Sequence, residues 1–259
     1  MKARVGDGDL AYDVRGEGPA LVLLHAFPLD RRMWSEELAR LSTQRRVIAV
    51  DLRGFGESTL WGEPTVDDYA DDVVRLLDVL GVPMAAVAGL SMGGYVALSL
   101  AERHRARLAA LILADTRAAG DSEVARAARE ATIRQVRSDG PAQFLDGVPE
   151  RLLSRHASDE LRQRVRDLCV ERSETIVAAT RALAHRPDRT ALLSRIDCPT
   201  LVLCGGEDTT SPAPEMRGMQ QAIADAEYVE IAGAGHLSNL EAPDRFDDAL
   251  ARFLDAHQL

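Results

Sequence analysis

Short apolar blocks recur along the chain: Leu21 to His25, Val47 to Asp51, Ala85 to Leu90, Leu108 to Ala114 and Leu201 to Cys204, each followed by turn-forming residues. Apolar residues at consecutive positions, without in-and-out alternation, predict parallel strands covered on both faces. A further strand is expected over Glu227 to Ile231. Between the blocks the period lengthens. Val66 to Leu80 sets Tyr69, Val73, Leu76, Leu77 and Leu80 at three-to-four spacing, and Pro243 to Leu254 does the same with Phe246, Ala249, Leu250 and Phe253. These are amphipathic helices by pattern. Strands alternating with helices predict right-handed crossovers and a mostly parallel, doubly wound α/β sheet.

The alternation stops between about Thr116 and Arg195, where no strand-like block occurs and Arg, Glu and Ala dominate. Residues 116–195 are therefore expected to form a helical cap inserted between strands, with 1–115 and 196–259 making the core. Helix ends are expected at Gly140-Pro141, Gly147-Val148-Pro149 and Arg186-Pro187. The cap arginines read as a solvated face paired with neighbouring Glu and Asp. The run from Val82 to Ala101 carries no formal charge and is long enough for a membrane span. Pro83, Gly89, Ser91, Gly93 and Gly94 instead favour a buried strand, a tight turn and a buried helix.

Composition narrows the chemistry. The 41 acidic against 31 basic residues, a net charge of −10, disfavour nucleic acid and anionic membrane surfaces as partners. Lys2 is the only lysine, which removes lysine Schiff-base chemistry and any Gly-Lys-Ser/Thr phosphate loop. Cys169, Cys198 and Cys204 show neither zinc spacing nor a disulfide framework, so no metal and no cofactor is expected. The first residues lack the apolar core of a signal peptide, which points to the cytoplasm.

Gly89-Leu90-Ser91-Met92-Gly93 fits G-x-S-x-G in the context that pattern needs, an apolar strand running into it and a buried helix leaving it. A serine hydroxyl is a weak nucleophile and requires a base, which in turn requires an orienting acid. His236 lies in a glycine-rich loop after the strand Glu227 to Ile231, and Asp208 lies just after the strand ending at Cys204. All three fall at strand carboxyl ends, where open α/β sheets carry their sites. Asp115, ending the preceding strand, and Glu207 are alternative acids.

The order Ser91, Asp208, His236 resembles the α/β-hydrolase fold, across essentially the whole chain. Leu24-His25-Ala26-Phe27-Pro28-Leu29 is similar to that family's oxyanion loop, and Asp51-Leu52-Arg53-Gly54-Phe55-Gly56-Glu57-Ser58 to its Asp-x-Arg-Gly-x-Gly-x-Ser segment. Gly-Gly-Glu-Asp resembles the acid loop and Gly-His-Leu-Ser-Asn-Leu-Glu-Ala-Pro the histidine loop. The resemblance implies an oxyanion hole formed by the backbone N–H groups of Phe27 and Met92. Ala26 stands where the family usually has glycine, so a differently shaped loop is expected there. His25, Asp51 and Arg53 read as loop-bracing residues, and Arg117 as a surface residue rather than a contact to a substrate carboxylate.

Within the family the elbow, the histidine loop and the cap look most like 3-oxoadipate enol-lactonases and cofactor-free esterases or haloperoxidases. The implied activity is cleavage of a small-molecule ester or lactone through an acyl-enzyme on Ser91. A carbon–carbon bond hydrolase, a perhydrolase and a noncatalytic ligand-binding protein are the alternatives. Nothing in the pattern sets an oligomeric state.

Overall fold

The computed structural model describes all residues from Met1 to Leu259. Eight strands form one sheet: β1 (Lys2–Val5), β2 (Gly8–Arg15), β3 (Ala20–Leu24), β4 (Arg46–Val50), β5 (Ala85–Leu90), β6 (Leu108–Ala114), β7 (Thr200–Gly205) and β8 (Glu227–Ile231). Their order is β1-β2-β4-β3-β5-β6-β7-β8, with the β1–β2 and β2–β4 pairings antiparallel and the pairings from β4–β3 onward parallel. The sheet is thus the expected one, with each apolar block in place. The two antiparallel strands at its edge are an addition to that expectation. In β2, Leu10, Tyr12 and Val14 take every second position, with polar residues between them except at the buried Ala11.

Strand residues are buried on both faces, which explains the absence of alternation in the central blocks. Val22 and Leu24 of β3 join one core layer, whereas Leu21 and Leu23 join the other. The helices are α1 (Ser35–Leu41), α2 (Val66–Val79), α3 (Met92–Arg103), α4 (Glu123–Asp139), α5 (Ala142–Asp146), α6 (Val148–Leu152), α7 (Asp159–Leu168), α8 (Ser173–Ala184), α9 (Ala213–Ala222), α10 (Ser238–Glu241) and α11 (Pro243–Ala256). Helix α2 begins at a reciprocal capping box between Thr65 and Asp68. The uncharged run from Val82 to Ala101 is β5, the turn at Ser91 and α3. No helix is long and apolar enough to cross a membrane.

Helices α4 to α8 lie between β6 and β7 in the chain, and α4 packs along α8. Gly140 and the approach to Arg186-Pro187 end helices, and so does Gly147, the C-cap of α5; the same residues also open the next helix, with Pro149 in the first turn of α6, where its missing N–H costs nothing.

Both ends of this segment are stitched together. The Arg189 N–H donates to Ala118 O at 2.8 Å, and the Gly120 N–H to Asp188 Oδ2 at 3.1 Å. The Arg186 guanidinium reaches Asp121 Oδ1 at 2.5 Å, Leu183 O at 2.9 Å and Ala119 O at 3.1 Å, and lies over the Tyr95 ring. Arg189 pairs with Glu102 and Asp67. Arg186 and Arg189 are buried, which corrects the reading of all the segment's arginines as a solvated face. Desolvating a guanidinium is costly unless every direction is answered, and here carboxylates and carbonyls from both chain ends answer most of them.

Candidate active site

The strand order reverses between β3 and β5, so the loops that follow these two strands flank the crevice where open α/β sheets receive ligands. Ser91 follows β5 directly. Its backbone is held at φ 54°, ψ −111°, a left-handed conformation that a residue with a Cβ adopts only under constraint. The flanking glycines explain how it fits. A Cβ on Gly89 would collide with the Gly93 carbonyl, and one on Gly93 with the Leu24 carbonyl. The turn therefore closes only with glycine at both places, and α3 starts at Met92 with its N-terminus beside the serine.

His236 and Asp208 arrive from the loops after β8 and β7. Ser91 Oγ is 2.8 Å from His236 Nε2, and His236 Nδ1 is 2.7 Å from Asp208 Oδ2. The Asp208 carboxylate also accepts the N–H groups of Thr210 at 2.7 Å and Ser211 at 3.0 Å, both on Oδ1. A carboxylate only accepts, so His236 Nδ1 carries the proton and Nε2 is left to accept from the serine hydroxyl. All three side chains are buried, with Ser91 the most exposed at 9%.

The alternative acids point elsewhere. Asp115 accepts from Gly205 N–H and Ser238 Oγ and makes no bond to His236. Glu207 Oε1 lies 3.7 Å from His156 Nε2 at the surface.

The loop after β3 passes close by. The Phe27 N–H has no hydrogen-bond partner within the chain, and the Met92 N–H belongs to the first turn of α3, whose donors have no intrahelical acceptor. Phe27–Pro28 is a cis peptide bond. Ala26 does not adopt positive φ, so alanine sits in this loop without backbone strain. Its carbonyl accepts the Leu29 N–H at 2.9 Å, and its N–H donates to Met33 Sδ at 3.3 Å.

His25 braces this loop. Its Nε2 accepts the Leu52 N–H at 3.1 Å and its Nδ1 lies 3.0 Å from Ala26 O, an arrangement that needs a neutral ring. Burial pushes the imidazole pKa down, in keeping with that. Asp51 accepts the N–H groups of Arg31 and Glu57, each at 2.8 Å, and Arg53 forks onto Asp72 at 2.7 and 2.8 Å. Arg117 donates to Thr210 O and lies 3.4 Å from Glu215, so it holds the acid loop.

The helical segment closes on these loops. Val170 N–H donates to Pro28 O at 2.9 Å, Thr175 Oγ1 to Gly54 O at 2.8 Å, and His236 N–H to Leu152 O at 2.8 Å. Glu241 bridges Gly235 N–H and Ser154 N–H at 2.8 and 3.0 Å. The Phe144 ring of α5 stands 5.9 Å from that of Phe27, with the Arg151 guanidinium over the Phe144 ring at 4.9 Å from its centroid. Behind the histidine loop, Asn239 Nδ2 donates to Met33 O and to Glu37 Oε1. Burial and the neighbouring Asp247 push the Glu37 carboxyl up to about 8. Sequence reasoning did not single out Thr116, Ser238, Glu241 or Glu37. No group of three or more His, Cys, Asp and Glu side chains stands together to hold a metal ion.

Residues 19–243 match a family described as the alpha/beta hydrolase fold, and the chain belongs to that family. It is 31% identical over 255 residues to 3-oxoadipate enol-lactonase 1 of Acinetobacter baylyi, covering 96% of this chain and 94% of the relative. A thermophilic esterase from Thermogutta terrifontis, solved with malate bound, superposes with a TM-score of 0.96 at 38% identity, covering 100% of both chains. The enol-lactonase from Burkholderia xenovorans LB400 superposes with a TM-score of 0.91 at 30% identity, covering 98% of this chain and 100% of that one.

Proposed function

We infer that the protein is a serine hydrolase that cleaves carboxylic esters or lactones through an acyl-enzyme on Ser91. The observation that carries this reading is the unbroken line Ser91 Oγ, His236 Nε2, His236 Nδ1, Asp208 Oδ2, with links of 2.8 and 2.7 Å at the sheet's switch point. His236 takes the serine proton as Ser91 attacks the carbonyl carbon, and Asp208 fixes the ring's tautomer and stabilises the imidazolium. The tetrahedral oxyanion receives the N–H groups of Phe27 and Met92, and the start of α3 adds its dipole. His236 returns the proton to the leaving oxygen. Water, deprotonated by the same histidine, then attacks the acyl-enzyme, and collapse of the second tetrahedral intermediate frees Ser91. No step calls for a cofactor.

Residues 116–195 act in this reading as a cap whose inner side walls the acyl group. The esterase and enol-lactonase names among the relatives support ester and lactone substrates alike. Hydrolysis of a p-nitrophenyl ester series beside a small lactone panel, with Ser91→Ala in parallel, tests it. Loss of roughly 10⁴–10⁶ in kcat in the variant is expected. Turnover that survives the substitution would sink the assignment of Ser91.

A further inference from the structure

The last residue of β6 is Ala114, whose carbonyl accepts the Ser91 N–H at 2.9 Å. The next two residues, Asp115 and Thr116, are both fully buried and reach three different loops. Thr116 Oγ1 donates to the Ser91 carbonyl at 2.7 Å. Asp115 Oδ1 accepts the Gly205 N–H at 2.7 Å, and the Gly205 carbonyl in turn accepts the Asp208 N–H at 3.2 Å. Asp115 Oδ2 accepts from Ser238 Oγ at 2.5 Å, two residues past His236. One dipeptide thus holds the serine turn, the acid loop and the histidine loop at once.

We propose that Asp115 and Thr116 are positioning residues which set the mutual register of Ser91, His236 and Asp208. The proposal rests on the serine-hydrolase reading and deepens it. The arrangement is expensive, which argues that it is retained for what it holds. Asp115 sits at φ 45°, and its carboxyl is pushed well above the ordinary range by burial and by Asp208 nearby. A turn that needed only to reverse the chain would be served by a small residue without either cost. The division of labour is specific. Thr116 acts on the nucleophile's backbone, whereas Asp115 acts on the histidine and its acid, and neither touches the reacting atoms.

The test uses the full chain carrying Asp115→Ala, Asp115→Asn or Thr116→Val. Its readouts are kcat and KM on an activated ester, and the far-downfield proton resonance of the His236 Nδ1–H bond to Asp208, with circular dichroism to establish folding. Asp115→Ala is expected to lose about 100-fold in kcat at unchanged KM, with the downfield resonance broadened or shifted. Asn accepts from Gly205 N–H through its oxygen and donates to Ser238 through its amide, so Asp115→Asn restores kcat to within about threefold of wild type together with the resonance. Thr116→Val loses about tenfold while the resonance stays in place.

A folded Asp115→Ala protein with wild-type kcat and an intact resonance would overturn the proposal. So would Asp115→Asn failing as badly as alanine, since the charge rather than the positioning would then be what matters. Should Asp115→Ala not fold, Ser238→Ala removes one of its two bonds and is expected to broaden the same resonance, and an unaltered resonance would refute the role. Failure of the underlying reading looks different: turnover would survive Ser91→Ala, while the resonance would still report whether Asp115 holds the His236–Asp208 pair.

Discussion

The carboxyl edge of the sheet and the helical segment above it are held in place by different kinds of side chain. At the edge the ties are short: Asp51, Asp115, Thr116, Asp208 and the His25 ring each bond backbone groups of the loops, and Ser238 bonds the Asp115 carboxylate. The segment is tied mainly by long ones, with Arg172 on the carbonyls of the Gly54–Ser58 loop and Arg186 and Arg189 at its ends, beside Thr175 and a few backbone bonds. Short side chains have few rotamers to lose and fix position closely, whereas an arginine spends more entropy and tolerates more displacement. Ser91, His236 and Asp208 stand mainly on the first kind of support, and Phe144 stands in the segment held by the second; under the proposed function, bond-breaking geometry and substrate choice should therefore be separable.

That separation is easiest to break at its strongest point. Asp208→Asn is expected to keep the fold and lower kcat by about 10⁴, because an amide no longer enforces the productive His236 tautomer. Steady-state kinetics on an activated ester measure this, and a loss under tenfold would move the acid elsewhere. Phe144→Ala probes the other side. It is expected to change the preference between short and long acyl chains by about tenfold while kcat on the best ester holds, as removal of a pocket wall should. A large drop in kcat with no change in preference would show the two regions to be one unit.

The smallest effect concerns stability. Glu37 is protonated in the folded protein up to about pH 8, against an ordinary value of 4.5, and Asp247 is pushed up to about 6 despite its Arg40 partner. The folded state therefore holds protons that the unfolded chain has released. Their stabilising contribution is complete below the ordinary carboxylate values and is lost as pH rises through the folded ones. Glu36 and Asp244 face the same cluster and push in the same direction. Thermal midpoints recorded from pH 5 to 9 should fall up to about pH 8 and level off above it, and Glu37→Gln should flatten the part of that fall lying above the Asp247 range. An unaltered slope in the variant would place its origin elsewhere.

The sheet was legible because two covered faces force apolar residues onto consecutive positions, as in Leu21, Val22, Leu23 and Leu24. Strand β2 escaped notice because its alternation is short and interrupted by Ala11. The line Ser91, His236, Asp208 was visible as residue types at strand ends, since each follows its strand within a few residues. Thr116 gave no such signal, and Asp115 stood out only as an alternative acid at its strand end, not as a tie between loops. Their partners lie 25, 90 and 123 residues away, and only the registers of β6 with β5 and β7 bring them together. The buried state of Arg186 was hidden for the same reason, since its carboxylate is 65 residues upstream.

The single lysine lies on β1, at the margin of the sheet and exposed to solvent. Four inter-strand steps separate β1 from β5, about 19 Å at the usual spacing. Coupling through the ε-amine would thus attach the molecule to a solid support by one flank only. Every copy would face the same way, with the crevice between β3 and β5 left open to whatever flows past it.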